Sequence, residues 1–66
     1  MTKTVTGVFD SADKVRNAVD DLVSSGIDSE KVYADKENNQ VKVMIPDTIE
    51  REITEILNRH NPTEVR

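Results

Sequence analysis

The sequence predicts one α+β domain over residues 1–66, a ferredoxin-like βαββαβ sandwich in which two helices cover one face of an antiparallel sheet. Apolar residues alternate in residues 4–9 and 40–45, as in half-buried strands. They recur every three or four residues in two other segments, as in amphipathic helices. The resulting order contains two split βαβ units, and right-handed crossovers place both helices on the same face.

The first half of the chain predicts a strand and a helix. Residues 4–9 are rich in β-branched residues and predict the first strand. Asp10 and Ser11 are both candidate N-caps for the helix that follows. The apolar positions of that helix are Val15, Ala18, Val19, Leu22 and Val23. Gly26 is expected to end it in the left-handed conformation, with Ile27 folding back on it.

The second half predicts three short strands and one helix. The strands are expected at residues 31–34, 40–45 and 63–66. A turn at residues 36–39 separates the first two, because asparagine tolerates left-handed backbone. Asp47 and Glu50 approximate a capping box that begins the helix. Its apolar stripe consists of Ile49, Ile53, Ile56 and Leu57.

Composition restricts the functional classes. The chain has no cysteine and one histidine, which excludes disulfides and thiolate metal sites. Thirteen acidic residues against nine basic ones give a net charge of −4. This charge argues against nucleic-acid binding, which depends on clustered Lys and Arg. Since the sequence shows neither a secretion signal nor an apolar segment long enough for a membrane span, we expect a cytoplasmic protein with no membrane contact.

Three short signatures occur along the chain. Val5, Gly7, Phe9 and Asp10 lead into the first helix, and residues 41–43 precede the acidic-capped second helix. The third signature, residues 57–65, ends the domain. In this order they resemble the bacterial general stress protein 17M-like family of heat-induced stress proteins. Many relatives carry a glycine-rich insert between the second and third strands, where this chain has only residues 35–39. The resemblance implies a stress-associated role without a defined biochemistry.

No constellation of residues predicts catalysis, a metal site or a cofactor. His60 has no catalytic partners in its vicinity, and it is expected to favour the dipole and cap carbonyls at the end of the second helix. The acidic residues from Asp28 onward fail the EF-hand pattern, because Tyr33 and Asn39 fill its sixth and twelfth positions. With Asp20 and Asp21, the residues Asp28, Glu30, Asp35 and Glu37 are expected to form a solvated surface. Gly7 predicts a bulge or the close approach of a helix.

The outer face of the predicted sheet is the candidate interaction surface. Strand alternation turns Val5, Phe9, Val41, Val43 and Ile45 toward the helices. The opposite face then carries Thr4, Thr6, Val8, Tyr33, Lys42 and Met44. Val8, Tyr33 and Met44 are expected to form a modest apolar patch. Such a patch is typical of a surface that receives a partner protein or a second copy of the chain.

Two functions remain open at this point. The first is a non-enzymatic, stress-associated interaction or regulatory module, which the resemblance and the missing catalytic constellation both favour. The alternative is a dimeric small-ligand sensor that resembles ACT domains, which share this topology and bind amino acids near the first strand–helix loop. In this chain that loop spans residues 9–13. Its two acidic residues and its lack of glycine weigh against the sensor.

Overall fold

The computed structural model describes residues 2–66, which form four strands, two α-helices and two short 3₁₀ turns. In chain order the strands and helices are β1 (Thr2–Val8), α1 (Ala12–Ser24), β2 (Val32–Asp35), β3 (Gln40–Pro46), α2 (Glu50–Asn58) and β4 (Glu64–Val65). The 3₁₀ turns, Ser29–Lys31 and Asp47–Ile49, lead into β2 and α2. No helix within residues 2–66 has the length and apolar character needed to cross a membrane.

The four strands form one antiparallel sheet in the order β2-β3-β1-β4. β3 lies between β1 and β2, and β1 lies between β3 and β4, so both βαβ units are split. The pairing of β1 with β3 runs without interruption from Thr2 opposite Pro46 to Val8 opposite Gln40. The predicted ferredoxin-like α+β fold is therefore confirmed.

One apolar core fills the space between the sheet and the helices. All five residues predicted to point inward from the strands are buried: Val5, Phe9, Val41, Val43 and Ile45. The helices add Val15, Ala18, Leu22, Ile53, Ile56 and Leu57. Val23, which was predicted for the apolar stripe of α1, is 42% exposed instead. The apolar residues of α1 thus extend farther around the helix than the side that packs against the sheet.

The ends of α1 follow the predicted capping chemistry. Ser11, not Asp10, is the N-cap, and its Oγ accepts the backbone N–H of Lys14 at 3.3 Å. Gly26 has a φ of 100°. Its N–H donates to the carbonyl of Val23, and the N–H of Ile27 donates to that of Leu22. These two bonds form a Schellman motif, and they bring Ile27 against the core as expected.

The start of α2 differs from the predicted capping box. The chain first makes the 3₁₀ turn Asp47–Ile49, and α2 begins at Glu50. Ile49, the residue that precedes α2, makes no side-chain cap bond. The Glu50 carboxylate lies 3.3 Å from Lys3 Nζ on β1. It therefore links the start of α2 to the sheet.

Gly7 and the C-terminal strand bring α2 and β4 close to β1. A Cβ on Gly7 would lie 3.1 Å from Phe9 and 3.2 Å from Leu57, so the glycine permits the close approach of α2. The bulge offered as its other explanation is absent, because the register through Gly7 is continuous. β4 is short, but Arg66 exchanges two backbone hydrogen bonds with Thr6 just beyond it.

Candidate functional site

The five candidate interaction residues lie on the side of the sheet away from the helices, which we call the open face. Thr6 and Val8 come from β1, Lys42 and Met44 from β3, and Tyr33 from β2. Each alternates along its strand with a residue of the core side, since successive side chains of a strand point to opposite faces. Tyr33 is 63% exposed and Met44 is 45% exposed.

The register places Lys42 near the middle of the open face. Lys42 lies between Tyr33 on β2 and Thr6 on β1, which form one row across the sheet. Met44 is opposite Thr4 in the row on one side, and Val8 is opposite Gln40 in the row on the other. The residues directly opposite Lys42 on β1 and β2 are thus uncharged, whereas Asp35, diagonally across on β2, is close enough for its carboxylate to interact with the ammonium group.

The apolar side chains of the open face form two separate areas. Tyr33 and Met44 are diagonal neighbours on adjacent strands, a spacing that long side chains bridge. Val8 lies four residues along β1 from Thr4, the residue opposite Met44, which is a distance of about 13 Å. Lys42 and Thr6 lie between them. A partner on this face would meet a small apolar area beside a lysine.

Charged groups border the open face at two edges. At the end of β2, the carboxylate of Asp35 accepts the side-chain N–H of Asn38 at 2.9 Å and its backbone N–H at 3.2 Å. These hydrogen bonds, with a smaller contribution from Lys42, hold the pKa of Asp35 below its ordinary value of 3.8. Beside β4, Arg66 pairs with Glu64. Lys42 is thus the central charge of the face.

Two shallow grooves lie outside the core. One, of about 220 Å³, is at the end of the sheet where β1 begins, and Thr2, Lys31, Met44, Ile45 and Pro46 line it. The other, of about 430 Å³, follows α2 along Glu52, Glu55, Ile56 and Arg59. Both are open to solvent, and neither gathers the apolar walls typical of a small-molecule site.

His60 connects the two helices. Its Nε2 lies 2.9 Å from Oδ2 of Asp21 on α1, and both side chains are mostly buried. The guanidinium of Arg59 lies 3.4 Å from the same carboxylate. The ring therefore bonds a carboxylate on α1, whereas the sequence suggested that it caps carbonyls of α2. Sequence spacing held no signal for this contact, because 39 residues separate the two partners.

Acidic residues are spread over the surface. Within residues 2–66 no three His, Asp or Glu side chains converge as a metal site would require. The solvated acidic surface expected from the sequence agrees with the exposure of Asp20, Asp28, Glu30 and Glu37. Asp35 is only partly exposed, and Asp21 departs from the expectation, because it is mostly buried against His60 and Arg59.

The first strand–helix loop uses its polar groups within the chain. The N–H of Phe9 donates to the carbonyl of Asn39 at 2.7 Å. Asp10 lies 3.0 Å from Nζ of Lys14, and Ser11 caps α1. No observation at this loop favours a bound amino acid, and the sensor alternative stays a prediction.

Comparison of the chain with protein-family models, with curated proteins and with solved structures finds no match. The resemblance to the general stress protein 17M-like family accordingly stays a prediction that rests on the three short signatures.

Proposed function

We propose that the chain is a non-enzymatic interaction module that binds a partner protein through its open face, in the cytoplasm and with the stress-associated role that the resemblance implies. One observation carries the proposal. Three large apolar side chains within residues 2–66 are exposed, and two of them, Tyr33 and Met44, are neighbours on the open face. Neighbouring exposed apolar side chains with a polar rim are typical of protein-binding surfaces.

The arrangement around Lys42 indicates the chemistry of the partner. The lysine is flanked by Tyr33 and Thr6, and Met44 follows it on the same face. A complementary surface would place a carboxylate opposite Lys42 and apolar groups against Tyr33 and Met44. Charge complementarity of this kind selects partners and orients them.

A second copy of the chain fits this face less well. In a two-fold stack of two identical faces, a residue near the axis meets itself. Lys42 lies near the centre of the face, so a stack centred there would bring two ammonium groups together. The open face therefore favours a different protein, and face-to-face self-association is the competing outcome.

The test uses two variants with a matched control. Lys42→Glu reverses the central charge and Met44→Lys removes the apolar neighbour, whereas Arg51→Glu changes an exposed charge on α2. A lysate of the source cells is passed over each immobilised protein, and retained candidates are purified and titrated singly. We expect a candidate that binds the original chain and Arg51→Glu at least tenfold more tightly than the two face variants.

Two results would contradict the proposal. One is a purified candidate that binds all four proteins equally. The other is a sedimentation-equilibrium mass that rises with concentration and returns to that of a monomer in a Val8→Lys, Met44→Lys double variant. That second result would show that two copies stack through their open faces.

A further inference from the structure

The outer side of β2 is an unpaired sheet edge. The N–H of Phe9 donates to the carbonyl of Asn39, so residues 9 and 39, which continue the register of β1 and β3 by one position, form a hydrogen-bonded pair. Because hydrogen-bonded pairs recur at every second residue, the backbone N–H and C=O groups of the odd-numbered residues of β3 point toward β1. The backbone groups of the even-numbered residues of β3 point toward β2, where those of Lys42 and Gln40 are paired with Tyr33 and Asp35. The backbone groups of Val32 and Ala34 consequently point away from the sheet. Within residues 2–66 the Val32 N–H donates to Ser29, and no strand pairs with Ala34 on that side.

The residues of this edge are complementary to their own sequence in the antiparallel direction. With Tyr33 placed on a two-fold axis, Val32 lies opposite Ala34 of the second copy, and Lys31, the last residue of the 3₁₀ turn before β2, lies opposite Asp35. Oppositely charged cross-strand pairs stabilise antiparallel strands, and so do aromatic pairs. Lys31 is exposed and makes no ion pair within the described residues.

A second observation points to the same edge from the helix side. Asp21 faces α2, because it bonds His60 and Arg59. Val23 lies two residues farther, about 200° around the helix, so it faces the opposite way. α1 packs over β2 and β3 and α2 over β1 and β4, so that direction leads toward the free edge of β2. Val23 is 42% exposed there.

We propose that a second copy of the chain adds its β2 antiparallel to β2, so that two four-stranded sheets become one of eight strands. The Ala34 N–H of each copy donates to the Val32 carbonyl of the other. Tyr33 meets its symmetry mate, and Lys31 pairs twice with Asp35 across the axis. Addition of a strand to an exposed edge is a recurrent mode of association.

The helices are compatible with this arrangement. Since α1 lies over β2 and β3, the two α1 helices would stand about two strand spacings apart, on the order of 10 Å. Packed helices have this separation. The α1 helix of each copy would therefore cover the exposed Val23 of the other copy. The two-fold axis is perpendicular to the sheet, so both open faces point the same way and remain accessible to another protein.

A cysteine scan tests the pairing directly, because the chain contains no cysteine. In the dimer the two Tyr33 residues form a non-hydrogen-bonded pair, with Cα atoms about 4.5 Å apart. A disulfide accepts this distance. We expect Tyr33→Cys to form a covalent dimer under mild oxidation at least tenfold faster than Met44→Cys, which lies on the same face but on β3. Equal rates, or faster cross-linking of Met44→Cys, would overturn the proposal.

Charge reversal supplies an independent test in solution. Lys31→Glu places two carboxylates opposite each other across the axis, and Asp35→Lys places two ammonium groups there. We expect each change to raise the dimer Kd about tenfold in sedimentation equilibrium, whereas an equimolar mixture of the two variants regains the original affinity. Thermal melts verify that both variants are folded. A chain that stays monomeric at about 1 mM, or a mixture that associates no better than its components, would refute the pairing.

The edge dimer and partner binding at the open face can be tested independently. Lys42→Glu is expected to weaken partner binding at least tenfold, whereas its effect on the Kd of the edge dimer should be smaller than that of Lys31→Glu, because Lys42 lies on β3 and is not among the residues that pair across the axis. A failure of the edge dimer thus leaves the open-face experiment interpretable, and the reverse also holds.

Discussion

The two faces of the sheet are built from alternate residues of the same strands, yet they have opposite chemistry. In β3, Val41, Val43 and Ile45 are almost completely buried beneath the helices, whereas Lys42 and Met44 are exposed on the open face. A shift of one position along the strand therefore exchanges a core residue for a surface residue. The difference implies that stability is concentrated on one face, which leaves the other free to vary with function.

The largest expected effect comes from the same substitution at two adjacent positions. Val43→Lys puts an ammonium group into an apolar core, at a cost above the roughly 3–5 kcal/mol that a core of this size supplies. Met44→Lys puts the same group on the open face and is expected to change stability by less than about 0.5 kcal/mol. Far-ultraviolet circular dichroism during urea unfolding should show an unfolded Val43→Lys chain and a native transition for Met44→Lys. Similar urea midpoints for the two would contradict the assignment of the faces.

This alternation was the part of the fold most accessible from sequence. Local periodicity predicted the inward residues of β1 and β3, because a strand with one covered face must alternate. Gly26 likewise marked the end of α1 through a backbone conformation that other residues avoid. Both features depend on residues that are neighbours in the chain.

Features that depend on residues distant in the chain could not be predicted from local sequence patterns. The bond between His60 and Asp21 joins positions 39 residues apart, and no spacing rule links them. The 3₁₀ turns before β2 and α2 have too few residues to show a period. The candidate residues of the open face were correctly grouped by alternation, but only the register revealed that Lys42 separates Val8 from Met44. Likewise, the hydrogen-bond pattern of the whole sheet is needed to recognise that no strand pairs with the backbone groups of Ala34.

A smaller effect is expected where α2 approaches the covered face. Gly7→Ala would place a methyl group 3.1 Å from Phe9 and 3.2 Å from Leu57. Both neighbours are buried in a packed core, so we expect a loss of about 1–3 kcal/mol in the free energy of unfolding. Thr6→Ala, the adjacent position on the open face, should change it by less than about 0.5 kcal/mol. Urea midpoints of the two variants provide the measurement.

A double-mutant cycle sharpens this expectation. Leu57→Val alone removes one methylene group from the core and should cost about 1 kcal/mol. Combined with Gly7→Ala, it also opens space for the new methyl group. The double variant should therefore lose less than the sum of the two single losses. Strict additivity would show that Leu57 is not what excludes a side chain at Gly7.

The smallest expected effect is a pH dependence at the edge of the open face. The folded state favours the ionised form of Asp35, because Asn38 donates two hydrogen bonds to its carboxylate. A group whose pKa is lowered on folding stabilises the protein above its unfolded pKa and loses this contribution as the pH falls through the folded pKa. Here the contribution is complete above the ordinary value of 3.8, and below it the contribution is lost progressively as the pH falls through the lowered pKa of the folded state.

Comparison with Asp35→Asn, at a concentration at which the chain is monomeric, isolates this contribution from that of the other carboxyl groups. The variant cannot ionise, so its midpoint of thermal unfolding should lie slightly below that of the original chain near pH 6, and the difference between the two midpoints should shrink as the pH falls below 3.8. Glu37→Gln, in the same turn, controls for the loss of one negative charge. The effect should be small, because the Asp35 carboxylate is exposed to solvent. A midpoint difference that stays constant from pH 6 to pH 2 would show that the bonds from Asn38 do not favour the ionised form.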